Sequence, residues 1–266
     1  MPTILANGLE IGYDVLGAGP PLVMLHGAAT PGSETFDRQV PALSAGFRVH
    51  LPDARGHGRT RWDVADGFRA SWLVDDVLAF VDGLGLPTFH LLGYSMGAMT
   101  ALELATRAPE RLRTLVVAGI TTEREPRARV AARLLDPERV LREDPAWAAG
   151  LARSHDPVQG AGAWASLLRA IAVDVARQPL LTPADLRAID APTLVACGDR
   201  DPLVPVAQAA ALARQVRDGR LLVAPDAGHD VIHEQADLVN EALLGFYRST
   251  ASIASARADA PVEVPR

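Results

Sequence analysis

Six short, uninterrupted apolar runs restrict this chain more than any other feature: "PLVMLHG" (21–27), "FRVHLPD" (47–53), "FHLLGYS" (89–95), "LRTLVVAG" (112–119), "PTLVACGD" (192–199) and "GRLLVAPD" (219–226). A strand with one wet face alternates apolar and polar residues, whereas a strand covered on both faces is apolar throughout. Between the runs, segments 70–84, 96–108, 206–217 and 233–247 place apolar residues three and four apart, as amphipathic helices do. Strands and helices in alternation predict an α/β fold with a mostly parallel central sheet flanked by helices. With 266 residues, 48% of them hydrophobic, the chain can bury one large core and still carry an insertion.

The alternation fails once. From 121 to 189 no strand is expected, only Ala-, Leu- and Arg-rich helical stretches broken by Pro126, Pro137, Pro145, Pro157, Pro179 and Pro183. That interval is too long for a simple crossover and reads as a helical cap (121–189), set between two parts of the core (1–120 and 190–250). Residues 251–266, "ASIASARADAPVEVPR", lack apolar periodicity and are expected to form a disordered tail.

A net charge of -6, with the 26 basic residues spread along the chain, argues against nucleic acid or an anionic membrane as partner. No run approaches the roughly 20 apolar residues of a membrane span, and the N-terminus lacks the pattern of a secretory signal. Cys197 is the only cysteine, which excludes an intramolecular disulfide and a cysteine-rich zinc site. The expectation is a soluble, cytoplasmic protein acting on a small molecule, as a monomer or a homodimer.

The stretch "LLGYSMGAMTALELA" (91–105) sets Ser95 between Gly93 and Gly97 where an apolar run passes into a helical pattern. A G-x-S-x-G pentapeptide is informative in that strand-turn-helix setting, where the serine stands on a sharp turn beside a helix N-terminus. The plainer alternative is a glycine-rich turn in which Ser95 only caps the helix. A serine hydroxyl becomes a nucleophile when a base removes its proton and a third group orients that base. His229, in "LLVAPDAGHDVIHEQ", follows one apolar run and precedes the last helix; Asp199 and Asp201, in "PTLVACGDRDPLVP", follow the run before it. Serine, acid, histidine is the chain order of one particular hydrolase fold.

With these residues in place the chain resembles the α/β-hydrolase family over nearly its whole length, apart from the tail. The likeness rests on "LHG" (25–27), "DARGHGRT" (53–60), "GYSMG" (93–97), "GDRDPLVP" (198–205) and "AGHDVIHEQ" (227–235), in that order. It implies a Ser95, His229, Asp201 triad, since the family's acid stands three positions after the glycine. It also implies an oxyanion hole from the backbone N–H groups of Ala28 and Met96, with His26 and His57 structural. Relatives that use an aspartate or cysteine nucleophile are disfavoured, because a serine at that position supports acyl transfer. The expected reaction, ester cleavage through an acyl-enzyme, requires no metal or organic cofactor. Peroxide in place of water would turn the same acyl-enzyme into a peracid source.

The substrate has to be read from the cap. Trp147, His155, Trp164 and Leu168, with Leu167 and Ile171 beside them, are expected to line a lid over Ser95, although such a stripe also suits packing between cap helices. Few charges on that stripe favour small to medium, largely apolar esters or lactones. The alternative is a carbon-carbon hydrolase or enol-lactonase of aromatic degradation. That activity calls for a carboxylate-binding arginine in the pocket, for which Arg124, Arg127, Arg129, Arg153 and Arg169 are candidates. A non-catalytic ligand receptor is disfavoured, since every triad position carries a competent residue.

Overall fold

The computed structural model describes residues 2–28 and 30–258, with the side chains of 252–258 outside that description. The chain opens with β1 (Thr3–Ala6) and β2 (Leu9–Leu16). It then supplies the six apolar runs as β3 (Pro21–Leu25), β4 (Arg48–Pro52), β5 (Phe89–Tyr94), β6 (Leu112–Ala118), β7 (Thr193–Gly198) and β8 (Gly219–Ala224). They form one sheet in the order β1-β2-β4-β3-β5-β6-β7-β8. The six apolar strands run parallel to one another, and β1 and β2 add an antiparallel edge. The edge hairpin escapes a search for continuous apolar runs. Its signal is a two-residue turn, Asn7-Gly8, with φ of 49° and 76°, the backbone a tight hairpin needs and that Asn-Gly supplies.

Twelve α-helices among the described residues complete the fold. Before residue 121 come α1 (Gly32–Thr35), α2 (Val40–Leu43), α3 (Ala70–Gly83) and α4 (Met96–Arg107). Then follow α5 (Arg124–Arg133), α6 (Pro137–Glu143), α7 (Pro145–Gln159), α8 (Ala163–Arg177) and α9 (Pro183–Arg187). The last three are α10 (Val206–Gln215), α11 (Val231–Glu234) and α12 (Ala236–Ala258). Along β3, Val23 and Leu25 pack with Val77 and Phe80 of α3 and Leu102 of α4, whereas Leu22 and Met24 pack with Val239, Leu243 and Phe246 of α12. Both faces of the strand are covered, which is why its sequence does not alternate.

Between 121 and 189 the structure contains helices and no strand. Pro137, Pro145 and Pro183 open α6, α7 and α9, where a missing N–H costs nothing, behind the capping side chains of Asp136, Asp144 and Thr182. A third apolar cluster, with Leu135, Val140, Leu151, Trp164, Leu167 and Ile171 at its centre, holds these helices together and rests on Phe68 and Met96. At the C-terminus α12 continues through Ala258, past the Ala251 boundary expected of a disordered tail. Phe246, Tyr247 and Thr250 anchor it in the core, and the alanine-rich sequence beyond them has high helix propensity. The remainder of the expected tail, 259–266, lies outside the described residues. No helix among the described residues is long and apolar enough to cross a membrane.

His50 of β4 is buried, and neither ring nitrogen meets a hydrogen-bond partner among the described residues. Burial, reinforced by Arg48, lowers its pKa from 6.5 to about 4. As pH falls below 6.5 the unfolded chain takes up this proton before the folded one does. The stability contributed by a neutral His50 is therefore complete above 6.5 and lost as pH falls towards 4. The melting temperature should drop between pH 7 and pH 5, and His50→Leu should make that drop smaller. Equal drops in the two chains, measured by thermal unfolding, would assign the acid sensitivity elsewhere.

Candidate active site

Ser95 occupies the sharp turn between β5 and α4 with φ 51° and ψ -111°, a region L-residues rarely adopt. Two glycines make the turn feasible by crowding. A Cβ on Gly93 would collide with the carbonyl of Gly97, and one on Gly97 with the carbonyl of Leu25 at the end of β3. The Ser95 N–H donates to the carbonyl of Ala118 (2.9 Å), tying the turn to β6. Although Ser95 stands at the N-cap of α4, its side chain makes no capping hydrogen bond. Its hydroxyl instead lies 3.1 Å from His229 Nε2. The capping alternative therefore has no contact behind it.

His229 sits in the loop between β8 and α11, and its Nδ1 is 2.9 Å from Asp201 Oδ2. A carboxylate only accepts, so Nδ1 carries the proton and Nε2 presents its lone pair to the serine hydroxyl. Asp201 is fixed in turn: its other oxygen accepts from the N–H groups of Leu203 (2.8 Å) and Val204 (3.0 Å), and its side chain is fully buried. Asp199, two residues earlier, accepts from the N–H of Ala227 (3.3 Å) and shapes the turn. The phenol of Tyr94 donates to the backbone carbonyl of His229 (3.2 Å) and holds that loop from below.

Ala28 follows β3 and Met96 begins α4 after β5, and both line a pocket together with Ser95 and His229. Strands β3 and β5 are parallel neighbours, and the chain passes to opposite sides of the sheet from them. Their carboxyl ends thus frame the crevice where open α/β sheets bind ligands. Neither the Ala28 nor the Met96 N–H is used by another group among the described residues, so both are available to an oxyanion.

Behind Ala28, His26 donates from Nδ1 to the Gly27 carbonyl (2.7 Å) and accepts at Nε2 from the Ala54 N–H (2.9 Å), which locks a neutral ring between two loops. His57 packs against it at 4.8 Å between ring centroids, and burial pushes the pKa of His57 well below the ordinary value.

The pocket encloses about 620 Å³ including its mouth. Its walls are mainly apolar, with Phe68, Met99, Val130, Leu135, Ile171 and Val175 prominent among them. Here the sequence expectation needs correction, because Trp147, His155, Trp164 and Leu168 do not line it. Trp164 and Leu168 belong to the N-terminal half of α8 and are buried in the third apolar cluster, with Trp147 against its side. His155 of α7 accepts at Nδ1 from the N–H of Gly58 (3.0 Å), which ties α7 to the loop after β4. The pocket lies under the C-terminal half of α8, where Ile171, Asp174 and Val175 reach it. Of the five candidate arginines, Arg127 alone lines the pocket. No cluster of three or more metal-ligating side chains occurs among the described residues.

Comparison with known proteins gives a consistent picture. The model of the alpha/beta hydrolase family matches residues 22–242. A non-heme haloperoxidase of Rhodococcus erythropolis is 31% identical over 279 residues, covering 94% of this chain and 100% of that protein. Among solved structures, a thermophilic esterase from Thermogutta terrifontis superposes with a TM-score of 0.74 at 25% identity, covering 94% of this chain and 98% of the other. The enol-lactonase from Burkholderia xenovorans LB400 superposes with a TM-score of 0.76 at 24% identity, covering 93% and 100%.

Proposed function

The chain belongs to the alpha/beta hydrolase family, and from that premise we propose that it cleaves carboxylic esters or lactones of small to medium size through Ser95, His229 and Asp201. The observation that carries this reading is the unbroken relay of hydrogen bonds, 3.1 Å from Ser95 to His229 and 2.9 Å from His229 to Asp201. The relay opens into a mainly apolar pocket beside two available N–H groups.

In this reading His229 Nε2 takes the Ser95 proton as Oγ bonds to the substrate carbonyl carbon. The carbonyl oxygen takes the electron pair and rests on the N–H groups of Ala28 and Met96, while Asp201 stabilises the imidazolium. Collapse of the tetrahedral adduct expels the alcohol, which leaves with the proton held by His229. Water then repeats the attack on the acyl-enzyme, with His229 as base again, and frees the acid and Ser95. The cycle closes on groups of this chain, the ester and water, and calls for no metal or organic cofactor. The esterase, the enol-lactonase and the haloperoxidase among the similar proteins bear names for different substrates, so the acyl chemistry of this chain is argued from its own pocket.

A series of 4-nitrophenyl esters of increasing acyl length tests the reading. The expected outcome is a burst of about one nitrophenolate per chain followed by slower turnover, with the rate falling once the acyl chain outgrows the pocket. Absence of turnover across the series would contradict it.

A further inference from the structure

The pocket beside Ser95 shares a wall with a second hollow, an open groove of about 1060 Å³, including its mouth, that follows α4 and the C-terminal end of α8. Ala70, Met99, Asp174 and Gln178 line both. A residue that faces both has a hollow on each side of it, so the partition is one layer of side chains thick. Its place is given by the residue order along α4. Ser95, Met99 and Glu103 follow one another at intervals of four and lie on one face of the helix. Ser95 lines only the pocket, Met99 both hollows and Glu103 only the groove. Helix α8 repeats the order, with Ile171 in the pocket, Asp174 in both and Arg177 in the groove. Pocket and groove therefore lie end to end, divided one helical turn beyond Ser95, about 5.4 Å of axis, a distance bridged by a few carbon atoms.

The four residues of the partition hold it in different ways. The Asp174 carboxylate accepts from the Ala70 N–H at 3.1 Å and the Asp174 carbonyl from the Gln178 N–H at 2.7 Å, which ties the start of α3 to the end of α8 through backbone groups. The side chains of Met99 and Gln178 act by bulk. Met99 is buried, unbranched and flexible. Gln178 is buried, and its amide donates only a long hydrogen bond, 3.5 Å, to Glu103 Oε2. Truncating either side chain opens the partition and leaves the tie between α3 and α8 intact. Beyond it the groove offers apolar surface from Pro179, Leu180 and Leu181.

We propose that Met99 and Gln178 set the acyl-length limit of the site. The acyl chain runs from Ser95 along α4 and stops against these two side chains; with either one removed, it continues into the groove. The leaving alcohol takes its proton from His229, which assigns the alcohol to the loop after β8 and the acyl chain to the α4 side. The inference rests on the ester-hydrolase reading and deepens it, from a range of substrate sizes to the two residues that end the range.

The test compares kcat/KM for 4-nitrophenyl butanoate and 4-nitrophenyl octanoate. The unaltered chain should favour butanoate. Gln178→Ala should raise the octanoate-to-butanoate ratio about tenfold, the worth of burying two further methylenes, and Met99→Ala should raise it as well. Thr106 lines only the groove, so Thr106→Trp added to Gln178→Ala should cancel the gain by filling the space the chain enters. In parallel, calorimetry of methyl butanoate and methyl octanoate with Ser95→Ala chains, with and without Gln178→Ala, reads the same preference without turnover. A ratio left unchanged by Gln178→Ala overturns the proposal even if Met99→Ala fails to fold. A gain that survives Thr106→Trp, or one that follows the length of the alcohol in alkyl acetates instead of the acyl chain, also overturns it. Hydrolysis of both esters with the same ratio in every chain keeps the ester reading and removes the divide. A binding preference that shifts with Gln178→Ala, without hydrolysis of either ester, keeps the divide and removes the ester reading.

Discussion

Ser95→Ala should lower ester turnover roughly ten-thousand- to million-fold, the range seen when a serine nucleophile is removed from a triad. The proposed oxyanion N–H groups belong to the backbone and survive the substitution, so a small residual rate above water is expected. Stability provides an internal control. Ser95 holds a positive φ of 51°, and alanine inherits that strain, so the melting temperature should hardly move. Ser95→Gly should relieve it and gain about 1 kcal/mol while being equally inactive. Two inactive chains that differ in stability in this order would separate loss of chemistry from loss of fold. Turnover by Ser95→Ala within tenfold of the unaltered chain would remove Ser95 from the reaction.

Asp201→Asn should lower turnover by roughly ten-thousand-fold, as loss of the correct histidine tautomer does elsewhere. The geometry dictates which way the amide faces. Oδ1 of Asp201 accepts from the N–H groups of Leu203 and Val204, and an amide nitrogen there would set donor against donor. The asparagine oxygen therefore stays on those N–H groups, and its NH2 turns to His229 Nδ1. That donor forces the His229 proton onto Nε2, where it can no longer accept from Ser95. Asp199→Asn keeps an oxygen for the Ala227 N–H and should change turnover by no more than a few-fold. Comparison of kcat for the two variants checks the assignment, and the reverse ranking would transfer the acid role to Asp199.

The sequence shows clearly the parts of the molecule that depend on local pattern. Strands β3 to β8 are legible because helices cover both faces and leave apolar runs with no alternation. The antiparallel β1 and β2 lie at the edge, half exposed, and only Asn7-Gly8 announces them. Ser95, Asp201 and His229 are legible because each stands just beyond the end of a parallel strand, and the sheet itself brings those ends together.

The pocket beside Ser95 is less legible, since it depends on how helices α5 to α9 dock. Trp164 and Leu168 share a helical stripe with Ile171, but the pocket lies under the later turns of α8 and the earlier turns serve the cap's interior. Periodicity gives the face of a helix and leaves open which end of it meets the site. Arg127 shows the same limit: in sequence it stands level with Arg124, Arg129, Arg153 and Arg169, and only the fold buries it among Met99, Thr121 and Pro179 beside the pocket.

In the proposed cycle Ser95 carries the acyl group between the two halves of the reaction. The most direct measurement is to quench the reaction with 4-nitrophenyl acetate in acid during the burst and map the acetyl group by mass spectrometry of the digested chain. One acetyl group per chain is expected, on Ser95, and none on Ser95→Ala treated in the same way. Turnover with no acetylated peptide at Ser95, or with the acetyl group on another residue, would contradict it.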